Sequence, residues 1–269
     1  YRAYVGGTSG LIYGYVNDGF YKVEDFEYFD SKSRTWKLKE GVVDSSPLSD
    51  TPRPGNAKFK KLTPVDPNSS NPYQLTEADR TVIGNTTPKF SGGFGLNATY
   101  KGFDLSMFFN FMYDFDVFNA NKVMLTTWAD NHENNFGMEV ASDKRWRNFD
   151  DMGNEIRYSP ELLAEFNKNA TMWNPTSIGK PISMSYAVED GSFLRLNSAT
   201  LGYTLPQGWT KKAGLNKVRF YVAGSNLFTI TGYSGYDPEV DIATGLTPNI
   251  DNNRYPRSRT YTFGAQLTF

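Results

Sequence analysis

Apolar and polar residues alternate most regularly between residues 94 and 113. Every second residue of two runs is apolar or aromatic, and most of the residues between them are small or polar. Lys101 and Gly102 separate the runs, and glycine suits the positive φ that a two-residue turn requires. Tyr100 and Phe103 flank this turn, so the pattern predicts a hairpin whose two apolar sets share one face. The apolar sets are Phe94, Leu96, Ala98, Tyr100, Phe103, Leu105, Met107, Phe109, Phe111 and Tyr113.

Three more strands are predicted towards the end of the chain, within residues 192–205, 217–231 and 259–269. In the first of them the apolar parity changes, and a β-bulge near Asn197 to Ala199 would bring both halves onto one face. The last strand alternates strictly and is predicted to close a sheet by pairing along its whole length, because termini are poorly ordered unless they are docked. The residues expected to serve closure and assembly are Tyr261, Phe263, Leu267 and Phe269.

The connections between these strands differ greatly in length. Residues 101–102 and 206–216 are short, whereas residues 23–90, 116–192 and 232–258 are long and polar. One short helix is predicted at 160–168, with Pro160 in its first turn. Loops of this length are uncommon in compact soluble domains. Short turns on one side and long loops on the other are typical of outer-membrane barrels.

The alternation itself is compatible with two classes of all-β protein. A soluble aromatic-rich β-sandwich that binds glycans turns its apolar face to a core, whereas a transmembrane strand of about 9–11 residues turns it to lipid. The loop lengths favour an antiparallel transmembrane β-barrel with long extracellular loops. In that barrel, the residues predicted to face lipid are Phe94, Leu96, Tyr100, Phe103, Leu105, Met107, Phe109, Val218, Phe220, Val222, Phe263 and Leu267. Those predicted to face the interior are Asn97, Thr99, Ser106, Arg219, Thr262 and Gln266.

Composition excludes several other functions. The 269 residues carry a net charge of −1, which gives no electrostatic reason to expect a nucleic-acid partner. Cysteine is absent, which removes disulfides, thiolate catalysis and cysteine metal sites. The single histidine, His132, lies in a polar stretch and is expected to be a surface residue, because metal sites gather several ligands. We expect no catalytic residue, no resident metal and no cofactor. Loop acids such as Asp237, Glu239 and Asp241 are expected to be solvated rather than to form a glycosidase pair.

Several segments resemble one known family. Residues 188–206, 216–240 and 255–269 are similar to the end of the SusC/RagA family of TonB-linked outer-membrane transporters, and residues 10–21 and 78–110 match it as well. The resemblance covers most of the chain in the family's order. It implies that residues 1–269 are about the last quarter of a 22-stranded barrel, without the N-terminal plug domain.

The resemblance also implies a function. Family members import oligosaccharides or peptides across the outer membrane of Gram-negative bacteria. They work with a SusD-like surface lipoprotein and take energy from the TonB complex, which the missing N-terminal part would contact. Many relatives carry an acidic, calcium-like loop where this chain has residues 56–80 with few carboxylates, so the resemblance leaves cation binding there open.

Aromatic side chains make up 16% of the sequence, and the loops hold several of them. Aromatic rings in the loops could stack on sugar rings, although loop packing or contact with a partner protein explains them equally well. The candidate substrate-binding residues are Trp128, Trp146, Trp173, Tyr233, Tyr236 and Asp237.

Overall fold

The structure is a computed structural model that describes residues 1–3, 6–48, 51–127, 137, 140, 144–178, 182–240, 245 and 247–269. The chain forms two compact units. Unit 1 comprises residues 1–84, 118–188 and 250–252, and unit 2 comprises residues 85–117, 189–249 and 253–269. No helix in the described part of the chain is long and apolar enough to cross a bilayer.

The strands are short in unit 1 and long in unit 2. In chain order they are β1 (Leu11–Gly14), β2 (Asn17–Phe20), β3 (Phe26–Asp30), β4 (Thr35–Leu38), β5 (Ala57–Phe59), β6 (Thr81–Asn85), β7 (Phe90–Tyr100), β8 (Phe103–Tyr113), β9 (Asp116–Asn119), β10 (Val188–Asp190), β11 (Phe193–Thr204), β12 (Lys217–Thr231), β13 (Ile250–Asp251) and β14 (Thr260–Thr268). The helices are α1 (Ala120–Thr126), α2 (Pro160–Phe166) and α3 (Gln207–Thr210).

Unit 2 is built on one five-stranded antiparallel sheet in the order β14-β12-β11-β8-β7, which we call the wall sheet. Each strand pairs with the long strand next to it in sequence, because the connections let the chain turn back at each end. The strands contain 9 to 15 residues. Most strands of soluble proteins have about 5–6, so these strands are unusually long.

The predicted hairpin is confirmed. Tyr100 pairs with Phe103, and the register continues without a break to Phe90 and Tyr113. Both turn residues have positive φ, 46° for Lys101 and 87° for Gly102, as a tight turn between twisted strands requires. The two apolar sets therefore lie on the same face of the wall sheet.

The predicted bulge is also confirmed. The register of β11 shifts between Leu196 and Ser198 against both of its neighbours. Asn197 is the extra residue relative to β8, whereas two residues of β12, Asn226 and Leu227, lie opposite Asn197. This shift places Leu194 and Leu196 on the same face as Leu201 and Tyr203, because one additional residue reverses the parity of a strand.

Because the strands are antiparallel, the short connections lie at one end of the strands and the long connections lie at the other end. We call these two ends the edges of the wall sheet. Residues 101–102 and 205–216 join strands at one edge. The connections 114–192 and 232–259 leave and return at the other edge, where β7 also begins. All the short connections therefore lie at one edge of the sheet, and the long connections lie at the other edge.

Unit 1 is made of the long connections together with the start of the chain, and it has its own hydrophobic cores. Its small sheets pair β1 with β6, β2 with β5 and β3 with β4, while β13 runs parallel to the end of β9. The larger core is formed by Tyr15, Ala57, Phe59, Leu75, Val123, Val140, Met172, Trp173, Ile178, Met184 and Ala187. The predicted helix is present as α2, which begins at Pro160 and ends two residues earlier than expected.

Candidate functional site

The apolar face of the wall sheet is continuous across all five strands. One row of paired residues runs from Ala98 through Leu105, Leu201 and Val222 to Phe263. Large side chains in this row are exposed: Phe263 is 80% exposed and Leu201 is 45% exposed. Soluble monomers rarely expose a contiguous apolar face of this kind, so the face is expected to lie in an apolar environment.

Aromatic rings cluster at the two edges of this face. Near the short turns, the rings of Phe103 and Tyr203 lie 4.5 Å apart, and near the long connections those of Phe90 and Tyr113 lie 6.4 Å apart. Such aromatic bands above and below an apolar belt are typical of strands that cross a bilayer.

The opposite face of the sheet is polar and holds an ion pair across three strands. Arg219 on β12 donates from Nε to Asp104 on β8 at 2.9 Å, with a second bond from its Nη2. The guanidinium crosses β11 at Gly202, where any Cβ would come within 2.4 Å of it. Gly202 is therefore needed so that the charged pair can lie flat on the sheet. A bidentate pair of this kind is stronger and more directional than a single contact.

Phe108 departs from the alternation because its ring lies on the polar face. The ring is 44% exposed and lies against β7, where a Cβ on Gly93 would come within 2.8 Å of it. The glycines at 92, 93 and 95 therefore make room for large rings from β8, as expected for strand glycines that allow close packing.

A buried ion cluster fastens the connection after β12 to the edge of the sheet. Arg195 on β11 is only 2% exposed and contacts Asp237 at 2.5 Å and Glu239 at 3.6 Å. Arg257, further along the same connection, reaches Glu239 at 2.7 Å. Because buried charges are stable only when they are paired, this cluster, which we call the Arg195 cluster, holds two parts of the connection against one strand.

A hydrophobic cluster supports the same connection. Tyr233 is 6% exposed and packs with Phe115, Val117, Phe193 and Val240. Beside it, Ser234 donates its backbone N–H and its hydroxyl to Glu189 at 3.0 and 2.8 Å. The segment from 232 to 240 is thus held by both apolar and charged contacts.

The structure separates the predicted substrate-binding residues. Trp128 lies outside the described residues. Trp146 and Trp173 are each 3% exposed and belong to two different cores of unit 1, where they have packing roles. In unit 2, Asp237 is bound to Arg195, whereas Tyr236 is 86% exposed. Tyr236 therefore has its ring open to a ligand, while burial leaves little ring surface on either tryptophan.

The residues predicted for closure lie along β14. Tyr261, Phe263 and Leu267 pair with Gly224, Val222 and Val218 of β12, and all three extend the apolar face. Phe269 follows the strand and is 83% exposed. Pairing on the other side of β14 stays a prediction.

Asp79 is a buried carboxylate within residues 56–80, the segment where the family resemblance leaves cation binding open. Its oxygens accept bonds from the backbone N–H and hydroxyl groups of Thr63 and Thr76, at 2.7 to 3.0 Å, and from the N–H of Leu62 at 2.9 Å. Lys61 Nζ lies 3.4 Å away. Burial raises the pKa of Asp79, but these hydrogen bonds together outweigh it and hold the pKa well below its usual range.

Asp79 therefore ties residues 61–63 to residues 76–79 with oxygens that are already occupied. Among the described residues, no group of three or more His, Cys, Asp or Glu side chains is positioned to hold a metal ion. The residues that sequence reasoning passed over are Arg195 and Arg257. The available signal was a lone arginine between Leu194 and Leu196 in an apolar run.

Long antiparallel strands, an exposed apolar face with aromatic edges and a polar opposite face define part of the wall of a membrane-spanning β-barrel. No protein-family model matches the chain. TonB-dependent receptor P3 of Formosa agariphila is 32% identical over 98% of the chain and 22% of its own length. TonB-dependent receptor SusC of Bacteroides thetaiotaomicron is 37% identical over 31% of the chain and 8% of its own length.

Solved structures have the same fold. The RagAB peptide importer in its closed-closed state superposes with a TM-score of 0.62, at 23% identity, over 98% of the chain and 23% of that protein. A second structure, of the RagAB peptide transporter, gives a TM-score of 0.63 at 22% identity, over the same shares of the two chains. The chain belongs to the SusC/RagA family of TonB-dependent transporters. It spans about a fifth of the length of the curated relatives that it matches over most of its residues.

Proposed function

We infer that the full-length protein to which this segment belongs is a TonB-dependent importer of the bacterial outer membrane, and that this segment forms the last part of its barrel wall. The observation that carries the inference is the apolar face of the wall sheet. It crosses five strands, each as long as a bilayer-spanning strand, and its side chains remain exposed, with Phe220 at 51% and Phe263 at 80%.

The two edges of the sheet correspond to the two sides of the membrane in this proposal. The short connections at 101–102 and 206–216 lie in the periplasm, and the long segments 23–90, 116–192 and 232–258 lie outside the cell. The Arg195 cluster then holds an extracellular connection at the rim of the barrel. A SusD-like lipoprotein is the proposed partner on the outer side, and the TonB complex supplies energy through the part of the protein that precedes this segment.

The proposed cargo is an oligosaccharide or a peptide. The RagAB complex, which shares the fold, is a peptide importer, and this supports a peptide as one class of cargo. Of the candidate substrate-binding residues described in the structure, Tyr236 has the most exposed ring and is the first position to examine. We assign no catalytic residue, in line with relatives that are receptors and transporters.

The alternative function, a soluble glycan-binding β-sandwich, requires a second sheet against the apolar face. The exposure of Leu201 and Phe263 favours the membrane protein instead, since no described residue covers these side chains.

Neighbouring residues on opposite faces of β11 test the proposal. Leu201 lies on the apolar face and Thr200 on the polar face. In the full-length receptor, Leu201→Arg is expected to destabilise the barrel, because a charge that faces lipid loses its hydration; this costs about 2–4 kcal/mol at the bilayer midplane and less towards the interface. Thr200→Arg should have a much smaller effect. The measurement is the yield of heat-modifiable barrel in outer-membrane fractions. A larger loss for Thr200→Arg than for Leu201→Arg would show that the faces are reversed or that the sheet does not lie in a membrane.

A further inference from the structure

Unit 1 contains an open cleft of about 450 Å³ that is separate from the wall sheet. It is lined by residues 145–151, Arg157 and the turn at 174–176. The cleft has the size of a small-ligand site, and three of its lining residues are arginines.

The three arginines differ in how far their charge is neutralised. Arg147 contacts Asp151 at 2.7 Å, and Arg157 contacts Glu155 at 3.2 Å through Nε. Arg145 is half-buried, and within the described part of the chain no carboxylate lies within ion-pair distance of it. Arg145 is therefore the guanidinium of the cleft for which the described residues supply no counter-charge.

The two aspartate carboxylates of the cleft already have partners within the protein. Asp150 accepts the N–H groups of Met152 and Asn154 at 2.9 and 2.8 Å, and the Asn154 side chain at 2.9 Å. The bond from the Asn154 side chain is the main reason that the pKa of Asp150 is lowered, so this carboxylate stays charged and occupied. Asp151 is taken by Arg147.

The cleft also has an apolar side. Trp146 is 3% exposed, and its Nε1 lies against Gly55, which does not line the cleft, so this donor is not accessible to a ligand. Phe149, 48% exposed, adds an apolar surface to the lining. Arg145, for which the described residues provide no carboxylate, together with the exposed ring of Phe149 favours a ligand that carries an anionic oxygen group next to an apolar part.

We propose that this cleft binds the carboxylate of the imported ligand, with Arg145 as the bidentate partner and Phe149 packing against the adjacent part of the ligand. Two oxygens in a plane match the donor fork of arginine, which makes a carboxylate the chemistry that fits. The proposal rests on the importer function and adds a class of cargo to it. An acidic peptide and an acidic oligosaccharide share this group.

The test uses the full-length receptor, purified in detergent, and four probes: tetraglutamate, tetraglutamine, tetragalacturonate and galactotetraose. Arg145→Gln should weaken binding of an acidic probe about tenfold or more, which corresponds to about 1.4 kcal/mol, and leave the neutral probes unchanged. Arg145→Lys, which keeps the charge but loses the fork, should weaken it less. Lys168→Gln removes the same charge from an exposed position of unit 1 that does not line the cleft, and it should change nothing.

The two acidic probes distinguish the sources of the carboxylate. A loss confined to tetraglutamate assigns the cleft to peptides, and a loss confined to tetragalacturonate assigns it to saccharides. Heat-modifiable barrel is measured for each variant, and Asn148→Ala, at another residue of the lining, replaces Arg145→Gln if that variant does not assemble.

Three results would overturn the carboxylate site. The receptor could bind acidic and neutral probes alike, it could bind neither, or Arg145→Gln and Lys168→Gln could have equal effects. In these cases, TonB-dependent growth on the native nutrient would show that the importer function still stands. Growth that does not depend on TonB would count against the importer itself.

Discussion

Arg195 is the residue whose removal should most strongly loosen the connection after β12. Replacing Arg195 by Met leaves Asp237 and Glu239, which are only 13% and 12% exposed, without their buried partner. Removing one member of a buried ion pair costs about 3–5 kcal/mol, because the remaining charge stays desolvated. The cost should appear as local opening of the segment 232–240, since the wall strands keep their own hydrogen bonds.

Hydrogen exchange of the full-length receptor in detergent measures this opening. The segment contains protected amides, such as that of Glu239, which donates to Asp237 at 2.9 Å. A cost of about 3 kcal/mol corresponds to an increase of roughly a hundredfold in the open population. Exchange in 232–240 should therefore accelerate by about that factor in Arg195→Met, up to the rate of an unprotected chain.

Arg257→Met is the matched control. Arg257 contacts the same Glu239 but is 46% exposed, so its pair should contribute only about 0–1 kcal/mol. A variant that combines Arg195→Met with Asp237→Asn and Glu239→Gln removes the stranded charges and should recover much of the protection. Equal acceleration in Arg195→Met and Arg257→Met would refute the argument that burial of Arg195 makes the cluster important.

Two further predictions concern other parts of the chain. Phe269→Asp should lower the yield of assembled barrel more than Tyr236→Asp, because a ring in the interfacial girdle contributes about 1.5–3 kcal/mol; equal yields in outer-membrane fractions would contradict this. The low pKa of Asp79 stabilises unit 1 above about pH 4, where unfolded carboxyls are ionised, and this stability is lost as the pH falls through the folded pKa. Asp79→Asn should remove that part of the acid sensitivity, as measured by thermal unfolding at pH 7 and pH 3, and the same acid-induced change in both proteins would contradict it.

The wall sheet could be predicted from the sequence because a strand exposes alternate residues to two different environments. The alternation places Leu105 and Val222 among the apolar positions of their strands without reference to distant residues. Local chemistry also located the irregularities: Lys101-Gly102 suits a tight turn, and the change of parity at Asn197 requires one extra residue. These features depend on neighbours in sequence, and all of them are present in the structure.

The packing of the long connections could not be predicted in the same way. Trp173 donates from Nε1 to the carbonyl of Thr126, 47 residues earlier, and no periodicity links the two positions. Arg195 and Asp237 are 42 residues apart, and Asp237 lies in a connection without regular structure. Burial of this kind is decided by which segments meet in three dimensions, so the sequence alone left Trp146 and Trp173 equally compatible with ligand stacking and with packing.

The presence of cores in unit 1 changes where recognition should be sought. A connection without a core of its own would leave its large aromatic residues exposed. Here Trp146 and Trp173 are buried and stabilise unit 1. A surface held by its own core can present side chains in fixed positions, as a selective binding site requires. The residues that remain available for a ligand are then those outside the cores, among them Arg145 in its cleft and the exposed ring of Tyr236. Aromatic content alone does not separate binding residues from packing residues in the connections. The exposed fraction of a side chain and the presence or absence of a charged partner do.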